Sequence, residues 1–249
     1  MGTVNWNANS KLGFLRSVID PTDELGFKNE LIDRIQWTAL KRHLVDSKHM
    51  LDYGCGSGRL APRAKSMEIK YSGIDTSMGM VETAREIHKD SSLDFRHFDG
   101  STIPYADSTF DTIVSIGVFI YILKTANEAA VFSEIKRVLK PDGHLVIVEQ
   151  ASLSGQKSAA AINVLTEQDY VAIIAKDFDI ENRYRVRTPE FSERATKWTT
   201  NKKVPRFLFN LMVGGLAEQE FKTATSAPDS YFKTRLYYDF LINAKLRKK

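Results

Sequence analysis

Three glycines, at positions 54, 56 and 58, follow the short segment Leu51–Tyr53 and precede a predicted helix. Glycine adopts positive φ angles without steric cost and has no Cβ atom, so closely spaced glycines let a ligand approach the backbone. Carboxylates lie beside this turn and at the ends of later apolar segments, at Asp52, Asp75 and Asp99. The pattern predicts a ligand-binding turn surrounded by hydrogen-bond acceptors.

The residues after the turn narrow the kind of ligand. No lysine followed by serine or threonine comes after Gly58, which excludes a phosphate-binding loop. The dinucleotide fingerprint fits poorly, because Arg59 or Ala61 occupies the place of its last glycine. Asp75 comes 17 residues after Gly58, where an acidic side chain accepts hydrogen bonds from ribose hydroxyls. A cationic ligand that carries a ribose and an adenine fits this set best.

The elements that must position these residues alternate between strand and helix. Apolar runs predict strands over residues 49–53, 71–75, 93–98, 110–116 and 145–148, and helical periodicity predicts helices over 28–44, 60–67, 77–88 and 127–140. This alternation predicts an α/β fold with a doubly wound, mostly parallel sheet. Ligands of such sheets bind beyond the carboxyl ends of the strands, where the glycine turn, Asp75, Asp99, Ile116 and Glu149 all fall.

At these residues the chain resembles the class I S-adenosylmethionine-dependent methyltransferases, in their small-molecule branch. Segments 51–58, 73–75, 98–100, 110–114 and 139–145 are similar to five ordered motifs of that family, and the resemblance covers about residues 48–150. It implies a seven-stranded Rossmann-like sheet with an antiparallel C-terminal edge strand, and S-adenosylmethionine as cofactor. The cofactor-binding residues that we predict are Asp52, Gly54, Cys55, Gly56, Gly58, Asp75, Thr76, Asp99, Gly100 and Ile116.

The resemblance also implies roles within this set. Asp52 and the glycine turn contact the methionine portion, Asp75 holds the ribose, and Asp99 reaches the adenine amino group. For Asp52 and Asp99 the competing interpretation is a carboxylate that only braces its own turn. Cys55 is interpreted as a packing residue, because methyl transfer needs no covalent relay.

A hydroxyl acceptor usually needs a general base, and the sequence offers few candidates. His43, His49, His88 and His144 are predicted to lie toward the opposite edge of the sheet. The catalytic candidates are therefore Glu149 after the fifth strand, His97 in the third, and Tyr121, which is also a predicted wall of the substrate pocket. Many relatives carry a histidine after the fourth strand, whereas this chain has Gly117–Tyr121 there, so the existence of a base stays open.

The charge is unevenly distributed. Residues 1–150 hold 18 Lys and Arg against 20 Asp and Glu, whereas residues 151–249 hold 17 against 11. Arg183, in an alternating strand over 178–186, and Arg206 are the predicted substrate-binding cations for an anionic acceptor. A solvated charged face is the alternative interpretation.

We expect one domain over residues 1–249. It comprises an N-terminal helical arm (1–47), a cofactor-binding core (48–150) and a C-terminal part (151–249). In the last part, a helix over 166–175 and a final strand or hairpin arm over 231–242 flank an insertion (189–227) that serves as a substrate cap or a dimer contact. A homodimer is therefore one expectation for partners.

Composition limits the other classes of protein to which the chain could belong. A single cysteine argues against disulfides and multi-cysteine zinc sites, and we expect no metal. With no membrane-length apolar run and no secretory pattern, we expect a cytoplasmic protein that does not bind membranes. No nucleic-acid motif accompanies the basic C-terminal part.

The favoured function is methyl transfer to a small molecule, such as a sugar or an anionic metabolite, with oxygen favoured over nitrogen. A nucleic-acid or protein methyltransferase, a non-catalytic binding module and, last, a nicotinamide oxidoreductase stay open.

Overall fold

The computed structural model describes residues 5–125, 127–153, 165–201, 203–232 and 238–247. Its centre is one seven-stranded sheet with the order β3-β2-β1-β4-β5-β7-β6. The strands are β1 His49–Tyr53, β2 Lys70–Asp75, β3 Asp94–His97, β4 Phe110–Ile116, β5 Leu139–Ala151, β6 Phe178–Arg187 and β7 Tyr238–Leu246.

The first five strands are parallel, and β7 is antiparallel to both β5 and β6. This sheet confirms the predicted α/β class, including its antiparallel C-terminal edge. The carboxyl ends of β1, β2 and β4 meet on either side of the glycine turn, since parallel strands end at one edge of the sheet.

Helices cover both faces of the sheet. They are α1 Trp6–Asn9, α2 Phe27–Leu40, α3 Ala61–Ser66, α4 Met78–His88, α5 Glu128–Val138, α6 Glu167–Ile174, α7 Pro189–Asn201, α8 Arg206–Ser226 and α9 Asp229–Phe232. Short 3-10 helices span Ser10–Leu12, Lys41–His43 and Phe119–Tyr121. No helix in these described ranges is long and apolar enough to cross a membrane.

Alternation along the strands divides the core into two layers. In β1, Met50 packs into the layer that includes α2 and α8, whereas Leu51 packs into the layer that includes α5 and α6. Successive side chains of a strand point to opposite faces, so each strand contributes to both layers. The paired layers hold the sheet rigid under the edge where the glycine turn lies.

Local signals explain several of the element boundaries. Ser77 caps α4 by accepting a hydrogen bond from the Met80 amide, and Thr166 forms a capping box with Asp169 at the start of α6. The predicted final strand is shorter than expected: Asp229–Phe232 is helical and β7 begins at Tyr238. The part of that prediction over residues 233–237 lies outside the described residues.

The N-terminal segment 5–19 lies across the carboxyl edge of the sheet. The Asn7 side chain accepts hydrogen bonds from the Ser77 hydroxyl (2.5 Å) and the Gly79 amide (3.1 Å), which fixes α1 against the start of α4. The Ser57 hydroxyl donates to the Phe14 carbonyl (2.6 Å), which fixes the following segment to the glycine turn. These contacts place Trp6 and Val18 above the edge where ligands of such sheets bind.

Candidate functional site

A cavity of about 280 Å³, here called the first cavity, opens at the carboxyl ends of β1, β2 and β4. Seven of the residues that line it belong to the predicted cofactor set or its catalytic candidates: Gly54, Gly56, Asp75, Thr76, Gly100, Ile116 and Tyr121. Sequence reasoning therefore located the edge and part of the lining from residues that are far apart along the chain.

The glycine turn needs its glycines for two reasons. Gly54 and Gly56 have φ angles of +76° and +52°, a region that side chains with a Cβ rarely occupy. A Cβ at Gly54 would overlap the Val118 side chain, and one at Gly56 would overlap Val18. The turn thus lets two other segments, residues 18 and 118, close against its backbone around the first cavity.

Asp75 presents its carboxylate to the first cavity at the end of β2. Its oxygens accept hydrogen bonds from the amides of Gly56 (2.9 Å) and Ser77 (2.8 Å). Burial raises the pKa of Asp75, while these amide donors act in the opposite direction. The side chain is therefore held in one orientation, with lone pairs left for a ligand's hydroxyl groups.

Four predicted cofactor residues do not line the first cavity. Asp52 is buried behind the turn and accepts a hydrogen bond from the Tyr71 hydroxyl (2.8 Å), and burial raises its pKa to about 6. Cys55 is buried, and a Cβ at Gly58 would meet Phe95 and His88 rather than the cavity. For Asp52 the structure favours the bracing interpretation, because its carboxylate is enclosed by protein.

Asp99 also differs from the expectation. Its carboxylate accepts hydrogen bonds from the Ser101 amide (2.8 Å) and the Thr102 amide (3.1 Å). Hydrogen bonds from Ser101 hold the pKa of Asp99 well below its usual value, and the bond from the Ser101 side chain has the largest effect. The neighbours Phe98 and Gly100 line the cavity while Asp99 itself braces the turn.

Several lining residues were not predicted as site residues. Met80, Phe98, Ile122 and Val131 supply an apolar wall, and Trp6 and Val18 reach the cavity from the N-terminal segment. An apolar wall beside a carboxylate fits an adenosyl ligand, since adenine needs a slot for its faces and ribose needs acceptors. No sequence signal in Trp6 distinguishes a cavity wall from a core residue.

A second cavity of about 230 Å³ adjoins the first. The two share five lining residues, Trp6, Val18, Ile116, Gly117 and Tyr121. Asp75, Thr76 and Gly100 line only the first cavity, so the shared wall lies away from the ribose end of that site. Trp6 and Tyr121 meet edge to face at this boundary, with ring centroids 6.1 Å apart.

Buried ion pairs form one side of the second cavity. Arg187 donates from Nε and Nη2 to the two oxygens of Asp239 (both 2.9 Å), and Gln36 donates to the same carboxylate (2.9 Å). Arg59 in turn donates to the Gln36 side-chain oxygen and to Asp33 (both 2.9 Å). This ion-pair network, Asp33–Arg59–Gln36–Asp239–Arg187, links the residue after the glycine turn to β6 and β7.

Glu149 lies between the network and the shared wall. It is buried at the carboxyl end of β5, and its Oε1 accepts hydrogen bonds from the amides of Val118 and Phe119 (both 2.8 Å). Its Oε2 accepts a longer one from Ile120 (3.4 Å). Burial raises the pKa of Glu149 to about 8 against the effect of these amides. Glu149 therefore fixes the segment that carries Tyr121 and lines the second cavity itself.

The other catalytic and substrate predictions have different outcomes. His97 is exposed on β3 and lines neither cavity, although its register partner Asp75 lines the first. Tyr121 lines both cavities, and burial, then Glu149, raise its pKa, so the hydroxyl keeps its proton at neutral pH and supplies no phenolate to act as a base.

Neither predicted arginine reaches the two cavities. Arg183 is exposed on β6, and Arg206 donates to the Leu25 carbonyl (3.1 Å) and pairs with Glu30 at the start of α8. Arg206 instead joins α8 to the segment around the start of α2, and acceptor binding by these two arginines stays a prediction that the two cavities do not support. Arg59 and Arg187 are the arginines at the second cavity.

The fold is a doubly wound α/β sheet with a cavity at its carboxyl edge. Comparisons with known proteins indicate which kind of domain this is. Residues 51–147 match a family described as "Methyltransferase domain". An O-methyltransferase of Pyrenophora dematioidea is 30% identical over 144 residues, which are 55% of this chain and 52% of that protein. Phosphoethanolamine N-methyltransferase 1 of Triticum aestivum is 30% identical over 133 residues, 52% of this chain and 26% of that protein.

Comparison with solved structures shows that the similarity in fold extends over most of the chain. Geranyl diphosphate C-methyltransferase from Streptomyces coelicolor, in complex with geranyl diphosphate and S-adenosyl-L-homocysteine, superposes with a TM-score of 0.61 at 16% identity. The match covers 92% of this chain and 86% of that one. The chain spans about half or less of the length of the two curated relatives. Over residues 51–147 the chain is similar to a methyltransferase domain, as the motifs predicted, and the similarity over the rest of the chain is one of fold.

Proposed function

We propose that this protein transfers a methyl group from S-adenosylmethionine to a small-molecule acceptor, with an oxygen acceptor favoured over nitrogen. The observation that carries the proposal is the pair of adjoining cavities. One combines the glycine turn, the Asp75 carboxylate and an apolar wall, and the other is polar and small. The proposed site residues for the donor are those that line the first cavity.

S-adenosylmethionine supplies an electrophilic methyl group on a sulfonium, whose in-line displacement leaves a neutral thioether. The protein's task is therefore alignment and exclusion of water. Asp75 would fix the ribose, and Met80 and Phe98 would enclose the adenine. Trp6, Val18 and Tyr121 would shield the boundary across which the methyl group passes.

The size of the second cavity supports a small acceptor. Its volume of about 230 Å³ is smaller than that of the first cavity, about 280 Å³, to which the donor is assigned. The names of the relatives also refer to small molecules, phosphoethanolamine and geranyl diphosphate among them. The helix α7 contributes Glu193 to this cavity, which supports a substrate-cap role for the first part of the predicted insertion.

Calorimetric titration with S-adenosylmethionine, followed by transfer of a tritiated methyl group to a metabolite extract, tests the proposal. We expect saturable binding to the native protein and label in low-molecular-mass products. Absence of binding would refute the donor, and binding without any transfer would indicate a module that only binds the nucleoside.

A further inference from the structure

The second cavity contains a carboxylate whose two oxygens are unequally occupied. Oε1 of Glu149 accepts two hydrogen bonds of 2.8 Å, whereas among the described residues Oε2 accepts one of 3.4 Å from Ile120. The first oxygen therefore holds the side chain in place, and the second keeps lone pairs that a ligand's hydroxyl can reach. Glu149 thus combines a fixed position with an available acceptor.

The position of this carboxylate fits a role in the transfer step. Glu149 lines the second cavity beside Gly117, Ile120 and Tyr121, and two of these residues also line the first cavity. An acceptor seated there lies between Glu149 and the end of the first cavity that is remote from Asp75. A group on that acceptor can contact the carboxylate while it faces the shared wall.

Each of the three cations that line the second cavity pairs with a carboxylate, and Glu193, which lines the cavity outside these pairs, is exposed to solvent. Arg187 pairs with Asp239, Arg59 pairs with Asp33, and Lys28 pairs with Asp20 (2.9 Å in each case). An anionic acceptor would meet cations that are already neutralised, so it would lose hydration without a matching partner.

The lining also disfavours an apolar acceptor. Gln36, Arg59, Gln150 and Arg187 all line the cavity. An apolar ligand would displace water from the donor and acceptor positions that these side chains still present to the cavity and return no hydrogen bonds. A neutral ligand with several hydroxyl or amide groups replaces those bonds.

The geometry points to the second cavity as the binding site of a small, uncharged acceptor that carries a hydroxyl group. Glu149 is then the catalytic residue that receives the proton of the reacting hydroxyl. This inference rests on the proposed function. As the acceptor oxygen bonds to the methyl carbon, the methyl–sulfur bond breaks and its electron pair stays on sulfur. The hydroxyl proton moves to Oε2 of Glu149, which leaves a methyl ether and a neutral thioether.

Glu149→Gln separates the proton-accepting role from the structural one. Glutamine keeps an oxygen for the amides of Val118 and Phe119 but takes up no proton. We expect transfer to fall by at least about 100-fold, with affinity for S-adenosylmethionine within about 3-fold of native. The native rate should rise with pH through about 8, and the variant's residual rate should lack that rise.

Glu220→Gln is the matched control. Glu220 is also buried, with its carboxylate held by the Thr188 amide (2.7 Å) and hydroxyl (3.0 Å), and burial raises its pKa. It lines neither cavity, so this variant should transfer methyl groups at the native rate. Transfer by Glu149→Gln within 10-fold of native overturns the role of Glu149.

Filling the second cavity with a large side chain tests whether the acceptor binds there. Gln150 is the register partner of Asp239 and lines the second cavity but not the first. Gln150→Trp should therefore abolish transfer and keep S-adenosylmethionine affinity, whereas Gln168→Trp, exposed on α6, should change neither. If Gln150→Trp loses donor affinity, Ile120→Trp fills the same cavity from the 3-10 helix. Native transfer rates in the filled variant overturn the assignment of the cavity.

The chemical class of the acceptor is determined by separating metabolites according to their charge. A metabolite extract from the native cells is divided into lipid, anionic, cationic and neutral aqueous fractions, each incubated with the protein and tritiated S-adenosylmethionine. Label in the neutral aqueous fraction is expected. Its absence from that fraction overturns the class, whatever else is labelled. Failure of the native protein to bind S-adenosylmethionine, in contrast, refutes the proposed function and is recognised before any fraction is tested.

Discussion

Asp52 and Asp75 show how one residue's place in the sheet register separates a bracing carboxylate from a ligand-facing one. In the parallel pair of β1 and β2, Asp52 lies opposite Gly73, two residues before Asp75. Asp52 is therefore short of the sheet edge and buried against Tyr71, whereas Asp75 lies at the edge. Proximity to the glycine turn along the chain does not distinguish them.

Removing the Asp75 carboxylate should weaken donor binding. Hydrogen bonds to a charged group contribute about 1.5–3 kcal/mol, so Asp75→Ala should lower the affinity for S-adenosylmethionine by roughly 10- to 100-fold in calorimetric titration. Asp111→Asn is the control, because Asp111 also accepts two backbone hydrogen bonds, from Lys48 and His49, but at the opposite edge. Equal losses in both variants would contradict a direct role for Asp75.

The raised pKa of Glu149 predicts a pH dependence of stability. Its usual value is 4.5 and burial raises it to about 8, so between these values the folded protein binds more protons than the unfolded chain. The free energy of unfolding should therefore fall as pH rises from about 5 through 8. Urea unfolding at several pH values should show a shallower fall in Glu149→Gln than in the native protein. Parallel profiles would mean that Glu149 ionises normally in the folded state.

At the scale of elements, the N-terminal segment completes a site that the sheet alone leaves open. Val18 closes against Gly56, and Trp6 meets Tyr121 at the boundary of the two cavities. The segment is held by hydrogen bonds that the Asn7 side chain and the Phe14 carbonyl accept, and no residue of α1 is buried. Such an element opens at lower free energy than the core strands.

Loosening this segment should speed release of the donor. Asn7→Ala removes the hydrogen bonds from Ser77 and Gly79, which contribute roughly 1 kcal/mol each, and should raise the dissociation rate of S-adenosylmethionine several-fold in stopped-flow measurements. Asn9→Ala is the control, since Asn9 follows two residues later and makes no capping bond. A dissociation rate unchanged by Asn7→Ala would show that α1 does not retain the donor.

Periodicity and glycine spacing were sufficient to predict the core elements and their common edge. The strands His49–Tyr53 and Phe110–Ile116 match their predicted bounds, because short apolar runs between turn residues leave few alternatives. Contacts between distant segments could not be predicted. Nothing local to Arg187 indicates Asp239 as its partner or the second cavity as its neighbour. Likewise Arg206 has the charge of a substrate ligand but pairs with Glu30.

At the scale of the whole molecule, the ion-pair network joins parts that the chain separates widely. Asp33 and Gln36 belong to α2, and Arg59 follows the glycine turn. Arg187 is the last residue of β6, and Asp239 is the second residue of β7. The N-terminal helix, the core and the C-terminal strands therefore meet in one buried polar cluster. Its members are paired, so the cluster specifies how these parts fit together more than it adds net stability.

Removing one partner of the Arg187–Asp239 pair and replacing both partners should affect the free energy of unfolding differently. Asp239→Ala leaves the Arg187 guanidinium buried without its carboxylate, which should cost about 3–5 kcal/mol in the free energy of unfolding measured with urea. The double variant Arg187→Met with Asp239→Leu removes both charges and should recover much of that loss. Asp179→Ala breaks the exposed pair with Arg247 and should change stability by less than about 1 kcal/mol. If the double variant is as unstable as Asp239→Ala, the network contributes net stability, and its loss rather than the orphaned charge would explain the effect.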